Sequence, residues 1–401
     1  MMDHDPGAAR ATHGRQAGAT HSCFPAWVAA GGLSLWCLAQ PAAAETNTPG
    51  VSPRAILIGQ SAGFSGPSGA IGREFRRGAH AAFNEVNAHG GVHGRQIVMI
   101  YRDDQYNPTK TRQNTQIFLE RDHVFALFGY RGTATVQAAL PLISKASVPL
   151  VAPLSGAQLL REPLNRLIFN VRASYHQEIE AMVNHLVRFG RDAIAIVYQK
   201  DSFGQDTLQG SLMALRRHGL KPIITVPVER NSKDGQEAAR RVALSNPDAI
   251  LMLTAHSSIP SLIRSLRERG SKAQIMTHSN SDAEALPPEL RHGIGVSQVV
   301  PFPWSPRSEL TRAYQTTMQR QKQAAHYSFP SLEGYLAAKV LVQALEKAGP
   351  IPTRAGLVKS LESMPGIDLD NHQVKFSETN HNGSDFVQLT FLMGDQGTFI
   401  H

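Results

Sequence analysis

Apolar runs of strand character alternate with helix-forming stretches from Arg54 to Gly295, and that alternation is the strongest constraint on the fold. The strand candidates are 54–59, 96–101, 124–129, 148–152, 193–198, 222–228, 248–253, 273–277 and 295–300. Parallel neighbours in a sheet need a long crossover, which a helix supplies, so this order predicts α/β architecture with mainly parallel sheets flanked by helices. Between the first two strands, Phe75, Ala79, Ala82, Phe83 and Val86 recur at helical spacing over 72–88, and Gly90-Gly91 stops the helix. With 401 residues, 42% hydrophobic and 18% charged, the chain is long enough for two globular lobes and too apolar to be disordered.

The first strand, 54–59, runs into a small-residue loop, Ser61 to Gly72. Ligands of open α/β sheets bind in the crevice beyond the carboxyl ends of the strands, so this loop is either a ligand-approaching wall or an ordinary βα turn. After the strand at 124–129 comes Gly129-Tyr130-Arg131-Gly132-Thr133-Ala134-Thr135. Hydroxyls with the free N–H groups of a helix start make a carboxylate site without a buried Lys or Arg. Thr133 is the leading candidate with Thr135 and Tyr130 beside it; the two threonines also suit helix capping, and the roles coexist. Leu154, Ser155 and Gly156 follow the next strand and face the same crevice, with the Ser155 hydroxyl and the Gly156 N–H as further donors. His256, in Thr254-Ala255-His256-Ser257-Ser258, is either a ligand contact or a surface loop histidine.

Several segments together resemble one family. They are Ser65-Gly66-Pro67, the stretch Asn87 to Arg95, Asp103-Asp104 with Asn107-Pro108, Gly129 with Thr133 and Thr135, the stretch Val148 to Pro153, and Asp201 to Gly204. In this order they resemble the ABC-transporter substrate-binding proteins of the branched-chain amino acid (Leu/Ile/Val) type, the class I periplasmic binding proteins. The resemblance implies two lobes joined by three crossing strands: 52–171 plus 301–376, and 172–300 plus 385–401. Val299 to Trp304 reads as one rigid crossing strand, because its two prolines suit extended backbone. Helices are expected at 178–189, 307–323 and 331–348, and β structure at 373–376 and 386–399.

The resemblance also implies an interlobe site. It makes Phe203 a wall for an apolar or aromatic ligand group, with Phe64, Ser65 and Ile71 on the opposite side, although an aromatic in such a turn also serves as a packing staple. The family commonly carries Thr where this chain has Gly156, which removes one hydroxyl and leaves room. Amino-acid-binding members meet the ligand ammonium with a second-lobe carboxylate. Here that stretch, Thr277 to Asp282, has no acid at Ser279 or Asn280; unless Asp282 reaches in, the ligand lacks an α-ammonium.

Other function classes fit poorly. The 59–72 loop has neither dinucleotide-fingerprint nor P-loop spacing, and no G-x-S-x-G elbow occurs. The 17 histidines are scattered, and His89 and His93 straddle Gly90-Gly91 instead of sharing a helix face. No enzyme activity, cofactor or metal is expected. The net charge of +8 is dispersed over helix faces such as Arg73, Arg76 and Arg77, so no nucleic-acid partner is expected; solvated faces explain it, with attraction to anionic ligands or membrane surfaces as the alternative.

Residues 1–44 read as a signal peptide: Arg10 and Arg15 precede the uncharged stretch Phe24 to Leu38, and Ala42-Ala43-Ala44 offers a cleavage pattern. Both cysteines, Cys23 and Cys37, fall inside it, and Trp36 argues against a lipoprotein anchor. The expected protein is a periplasmic monomer that closes on a small carboxylate (an amino acid or an aromatic or aliphatic acid) and serves an ABC permease. The rival reading is a ligand-sensing regulator of the same fold.

Overall fold

The computed structural model describes residues 48–393 and 398–400, apart from 67, 233–234, 256, 322–325 and 370–371. The expected signal peptide, both cysteines and His256 therefore lie outside the described residues.

The chain opens with β1 (Ala55–Ala62), α1 (Gly69–Ala88), β2 (Gln96–Asp103), α2 (Pro108–Glu120), β3 (Ala126–Phe128), α3 (Thr133–Ala146), β4 (Leu150–Val151) and β5 (Ile168–Phe169). These strands form one parallel sheet in the order β2-β1-β3-β4-β5. β1 and β3 are buried almost throughout, as a parallel strand covered on both faces must be, whereas the edge strand β2 alternates buried and exposed residues.

A second set follows: α4 (Tyr175–Arg188), β6 (Ile194–Gln199), α5 (Ser202–Arg217), β7 (Ile224–Val228), α6 (Gln236–Leu244), β8 (Ala249–Leu253), α7 (Ile259–Glu268), β9 (Gln274–Thr277), α8 (Pro288–Arg291) and β10 (Gly295–Gln298). The chain then forms α9 (Glu309–Gln319), α10 (Phe329–Ala348), α11 (Arg354–Ser363), the hairpin β11 (Ile367–Leu369) and β12 (His372–Val374), and finally β13 (Gln388–Met393) and β14 (Thr398–Ile400). The second sheet runs β14-β13-β10-β9-β8-β6-β7. Its five parallel strands repeat the winding of the first sheet, a repeat that no residue pattern in the sequence announces. β13 joins it antiparallel to β10.

This is the two-lobed type I periplasmic-binding-protein fold expected from the resemblance, one mainly parallel sheet per lobe. One expectation is corrected. Val299 to Trp304 is not a strand but a pair of bends and a turn, closed by the Ser305 N–H on the Phe302 carbonyl at 3.1 Å. Pro301 and Pro303 have no N–H to give to a ladder. The segment leaving β5 does pair with the tail: the Asn170 N–H donates to the His381 carbonyl at 2.9 Å, and the Gly383 N–H to the Asn170 carbonyl at 2.8 Å.

α9 and α10 return to pack on α1. At the α1–α10 contact two glycines let the backbones touch: a Cβ on Gly78 would lie 1.7 Å from the Ser331 carbonyl oxygen, and one on Gly334 would lie 1.9 Å from that of Phe75. Neither helix can yield without repacking the first-lobe core. We expect Gly78→Ala to destabilise by about 1–3 kcal/mol, the usual cost of overpacking, as a lower urea midpoint at unchanged slope. An unchanged midpoint would mean that the helices separate at little cost.

Candidate functional site

The carboxyl ends of both parallel sheets converge on one cleft. In each sheet the chain reverses its winding direction beside the first strand, which leaves a crevice between diverging loops. From the first lobe come Tyr106 after β2, Arg131 after β3 and Leu154 after β4; from the second come Tyr175 and Phe203 at the starts of α4 and α5, and His278 and Asn280 after β9. These side chains nearly fill the cleft and leave a cavity of about 10 Å³, room for a single water molecule. A solute of amino-acid size therefore enters only when the lobes part. A larger polar groove of about 770 Å³, lined by Gln158, Arg161, Gln177 and Lys375 among others, lies beside the 170–174 segment and is open to solvent.

Helix caps aim the second-lobe aromatics. The Ser174 hydroxyl accepts the Gln177 N–H at 3.1 Å and the Gln177 side chain accepts the Ser174 N–H at 2.8 Å, fixing the start of α4. Asp201 caps α5 by accepting the Phe203 and Gly204 N–H groups at 3.0 and 3.1 Å. The Tyr175 and Phe203 rings then meet edge to face, centroids 5.1 Å apart, with His278 4.9 Å from Phe203.

Hydrogen bonds line both sides of the cleft and one crosses it. The Thr133 and Ser155 hydroxyls are 2.9 Å apart on the first-lobe side, and from the second lobe the Asn280 amide donates to the Tyr175 hydroxyl at 3.1 Å and across to the Leu154 carbonyl at 3.4 Å. The Asn280 N–H donates to His278 Nδ1 at 3.2 Å, which leaves the proton on Nε2, facing the Thr254 carbonyl at 3.3 Å. Burial lowers the His278 pKa to about 4, and protonation would also remove the acceptor that Asn280 uses.

Tyr106, with left-handed backbone at φ +57°, lies between two guanidiniums. Arg131 sits 5.0 Å from its ring centroid and Arg230, from the second lobe, 4.4 Å. Arg230 also donates to the Tyr106 carbonyl and stands 3.8 Å from Asp201. Burial, with the charge of Asp201, pushes the phenol up to about 12.

Where the chain passes from the first sheet to the second, Arg172 is 1% exposed and stands 3.1 Å from Glu178 of α4 and 3.4 Å from Glu333 of α10. The other Glu178 oxygen accepts the Ser279 N–H at 2.9 Å and the Ser297 hydroxyl at 2.7 Å.

Thr133, Leu154, Ser155, Gly156 and Phe203 come together around the cleft. The remaining expected residues that the structure describes lie elsewhere. Thr135 turns its hydroxyl to the Gly132 carbonyl at 2.7 Å, and Tyr130 is in the core with its hydroxyl 3.1 Å from Thr115. Ile71 is buried in the first-lobe core; Phe64 packs on Tyr101 under Arg76, and Ser65 donates to Asp103 at 2.5 Å. Ser279 faces Arg172, from which its hydroxyl accepts. Asp282 begins the turn at Ala283–Ala285 beside Glu284, whose carboxyl burial and the Asp282 charge raise to about 8. The room expected at Gly156 is occupied by α4: a Cβ there would lie 2.4 Å from the Tyr175 nitrogen.

Sequence reasoning missed Tyr106, Arg131, Tyr175 and His278. A charge between two glycines at a strand's carboxyl end was the available signal for Arg131. Among the described residues no group of three His, Cys, Asp or Glu could hold a metal ion, and no helix is long and apolar enough to cross a membrane.

Because His278 is neutral when folded, acid should unfold the protein through it. Above pH 6.5 it is neutral in both states; between 6.5 and about 4 only the unfolded chain takes up the proton, so stability falls by up to about 3 kcal/mol. His278→Gln should remove that share, read as the difference between urea midpoints at about pH 7.5 and about pH 4.5. An equal drop in both proteins would assign the titration to other groups.

Comparison with known proteins agrees with this fold. The chain is 23% identical over 352 residues to the Leu/Ile/Val-binding protein homolog 7 of Brucella melitensis, covering 82% of this chain and 86% of that one. The crystal structure of a substrate-binding periplasmic protein from Ralstonia solanacearum superposes with a TM-score of 0.80 at 29% identity, over 86% of this chain and 99% of that one. A fatty acid ABC transporter substrate-binding protein from Thermomonospora curvata gives a TM-score of 0.78 at 21% identity, over 88% and 92%, and shares the fold. The family described as periplasmic binding protein matches residues 55–391, most of the chain, and the chain belongs to that family.

Proposed function

We propose that this protein is the periplasmic solute-binding component of an ABC importer, that it captures a small carboxylate-bearing molecule between its lobes, and that the closed form delivers the molecule to the permease. The observation that carries the reading is the convergence of buried donors from both lobes, Thr133, Ser155, Asn280 and the Arg131 guanidinium, beside the aromatic wall of Phe203 and Tyr175. Of these donors the Arg131 Nε is left without a partner, which suits an anion, and an aromatic wall suits its hydrocarbon part.

In this reading 52–171 with 301–376 and 172–300 with 385–401 move as two bodies about the 170–174 segment and its neighbours. Residues 1–44 direct export and are removed, and the mature protein acts as a monomer that binds without turnover. The names of the relatives support the ligand class: a Leu/Ile/Val-binding homologue and a fatty-acid-binding one both describe carboxylates.

A thermal-shift screen of amino, aliphatic and aromatic acids tests this, since ligand at about 100 times its Kd adds roughly 2.7 kcal/mol of stability. Thr133→Ala should weaken the bound acid by about 1–3 kcal/mol, the range for a hydrogen bond to a charged group, measured by calorimetry. Unchanged affinity would take Thr133 out of the site.

A further inference from the structure

We propose that Arg131 is the charge partner of the ligand, and that the cleft consequently takes ammonium-free carboxylates, aliphatic or aromatic monoacids, in preference to zwitterionic amino acids. The inference rests on the carboxylate-binding reading above and narrows it.

Arg131 is 2% exposed and lines the cleft. Among the described residues its guanidinium makes one hydrogen bond, from Nη1 to the Ser68 carbonyl at 2.9 Å, and its buried Nε has no partner. A guanidinium removed from water needs an ion pair or a full set of acceptors, and among the described residues this one has neither at contact distance. Arg172, equally buried, stands between Glu178 and Glu333.

The carboxylates near Arg131 are all engaged. Asp104, whose charge interacts with Arg131, accepts the Ser61 hydroxyl at 2.9 Å, the Thr111 hydroxyl at 2.9 Å and the Tyr106 N–H at 2.8 Å. Asp201 caps α5, accepts from Gln199 at 2.6 Å and faces Arg230. Glu178 is held by Arg172, Ser279 and Ser297. Among the described residues no acid lines the cavity. A carboxylate beside Arg131 completes a charge-assisted pair with the guanidinium's unpartnered Nε. An α-ammonium in the same space meets a second cation, a neutral imidazole and an amide, and loses its water without compensation.

Calorimetry on the full chain with matched pairs separates the possibilities: 3-phenylpropanoate against phenylalanine, 4-methylpentanoate against leucine, and 3-phenylpropanamide as the uncharged control. The ammonium-free acid should bind more than about tenfold tighter than its amino acid, and the amide should not bind. Arg131→Gln should weaken the acid by about 10- to 100-fold, while Arg131→Lys, which keeps the charge, retains the preference. Thermal melts of both variants check that they fold. Tighter binding of the amino acid, or an unchanged acid affinity in Arg131→Gln, overturns the inference while leaving a carboxylate-binding protein. Equal binding of amide and acid overturns the carboxylate reading itself, and no binding of any acid at millimolar concentration overturns both.

Discussion

Arg172 holds the two lobes in register. Its guanidinium is out of water at the point where the chain leaves the first sheet, between Glu178 of the second lobe and Glu333 of the first. Removing one partner of such a group strands a buried charge at a cost of about 3–5 kcal/mol. Because Glu178 also holds the Ser279 N–H and the Ser297 hydroxyl, the α4 start, the loop after β9 and strand β10 share one anchor. Tyr175, Asn280 and His278 are placed from these elements. The same network occupies the carboxylates nearest Arg172, so the cleft keeps an excess of positive charge.

The cleft reads as a pair of opposed donor surfaces. Its first-lobe side brings Arg131 and the Thr133–Ser155 hydroxyls, and its second-lobe side brings the Asn280 amide and the aromatic faces. Contacts across it include the Arg230 bond to the Tyr106 carbonyl, the Gln158 N–H on Asp206 at 2.9 Å and the Asn280 amide on the Leu154 carbonyl at 3.4 Å. A ligand that contacts both lobes shifts the balance toward closure only by its extra affinity for the closed form. An anion seated on Arg131 has such an affinity, because the second lobe shuts out the water that would otherwise screen it.

The fold was legible because its central strands are buried on both faces. β8, Ala-Ile-Leu-Met-Leu, is apolar throughout and cannot be mistaken for a solvated edge. β5 escaped notice since two residues carry no period. The shared winding of the two sheets escaped for another reason: strand order is a property of pairing, and different residues satisfy it equally well. At the site, Thr133, Ser155 and Phe203 were readable from their places after strands. Arg131 was passed over because arginines in loops are ordinarily solvated, and only the depth of Tyr106 and Ser68 around it shows that this one is not. Gly156 looked like missing substance, whereas its lack of a side chain lets α4 approach. Ser279 and Asp282 were expected at the ligand because sequence gives distance along the chain but not direction; one faces Arg172, the other Glu284.

The most direct test is the crystal structure of the complex with an ammonium-free acid such as 3-phenylpropanoate. The account predicts the carboxylate within hydrogen-bonding distance of the Arg131 guanidinium, about 2.7–2.9 Å for a charged pair, with the ring against Phe203 and Tyr175. A carboxylate held by the Thr133 and Ser155 hydroxyls with Arg131 turned away, or an acid bound outside the interlobe cleft, would contradict it.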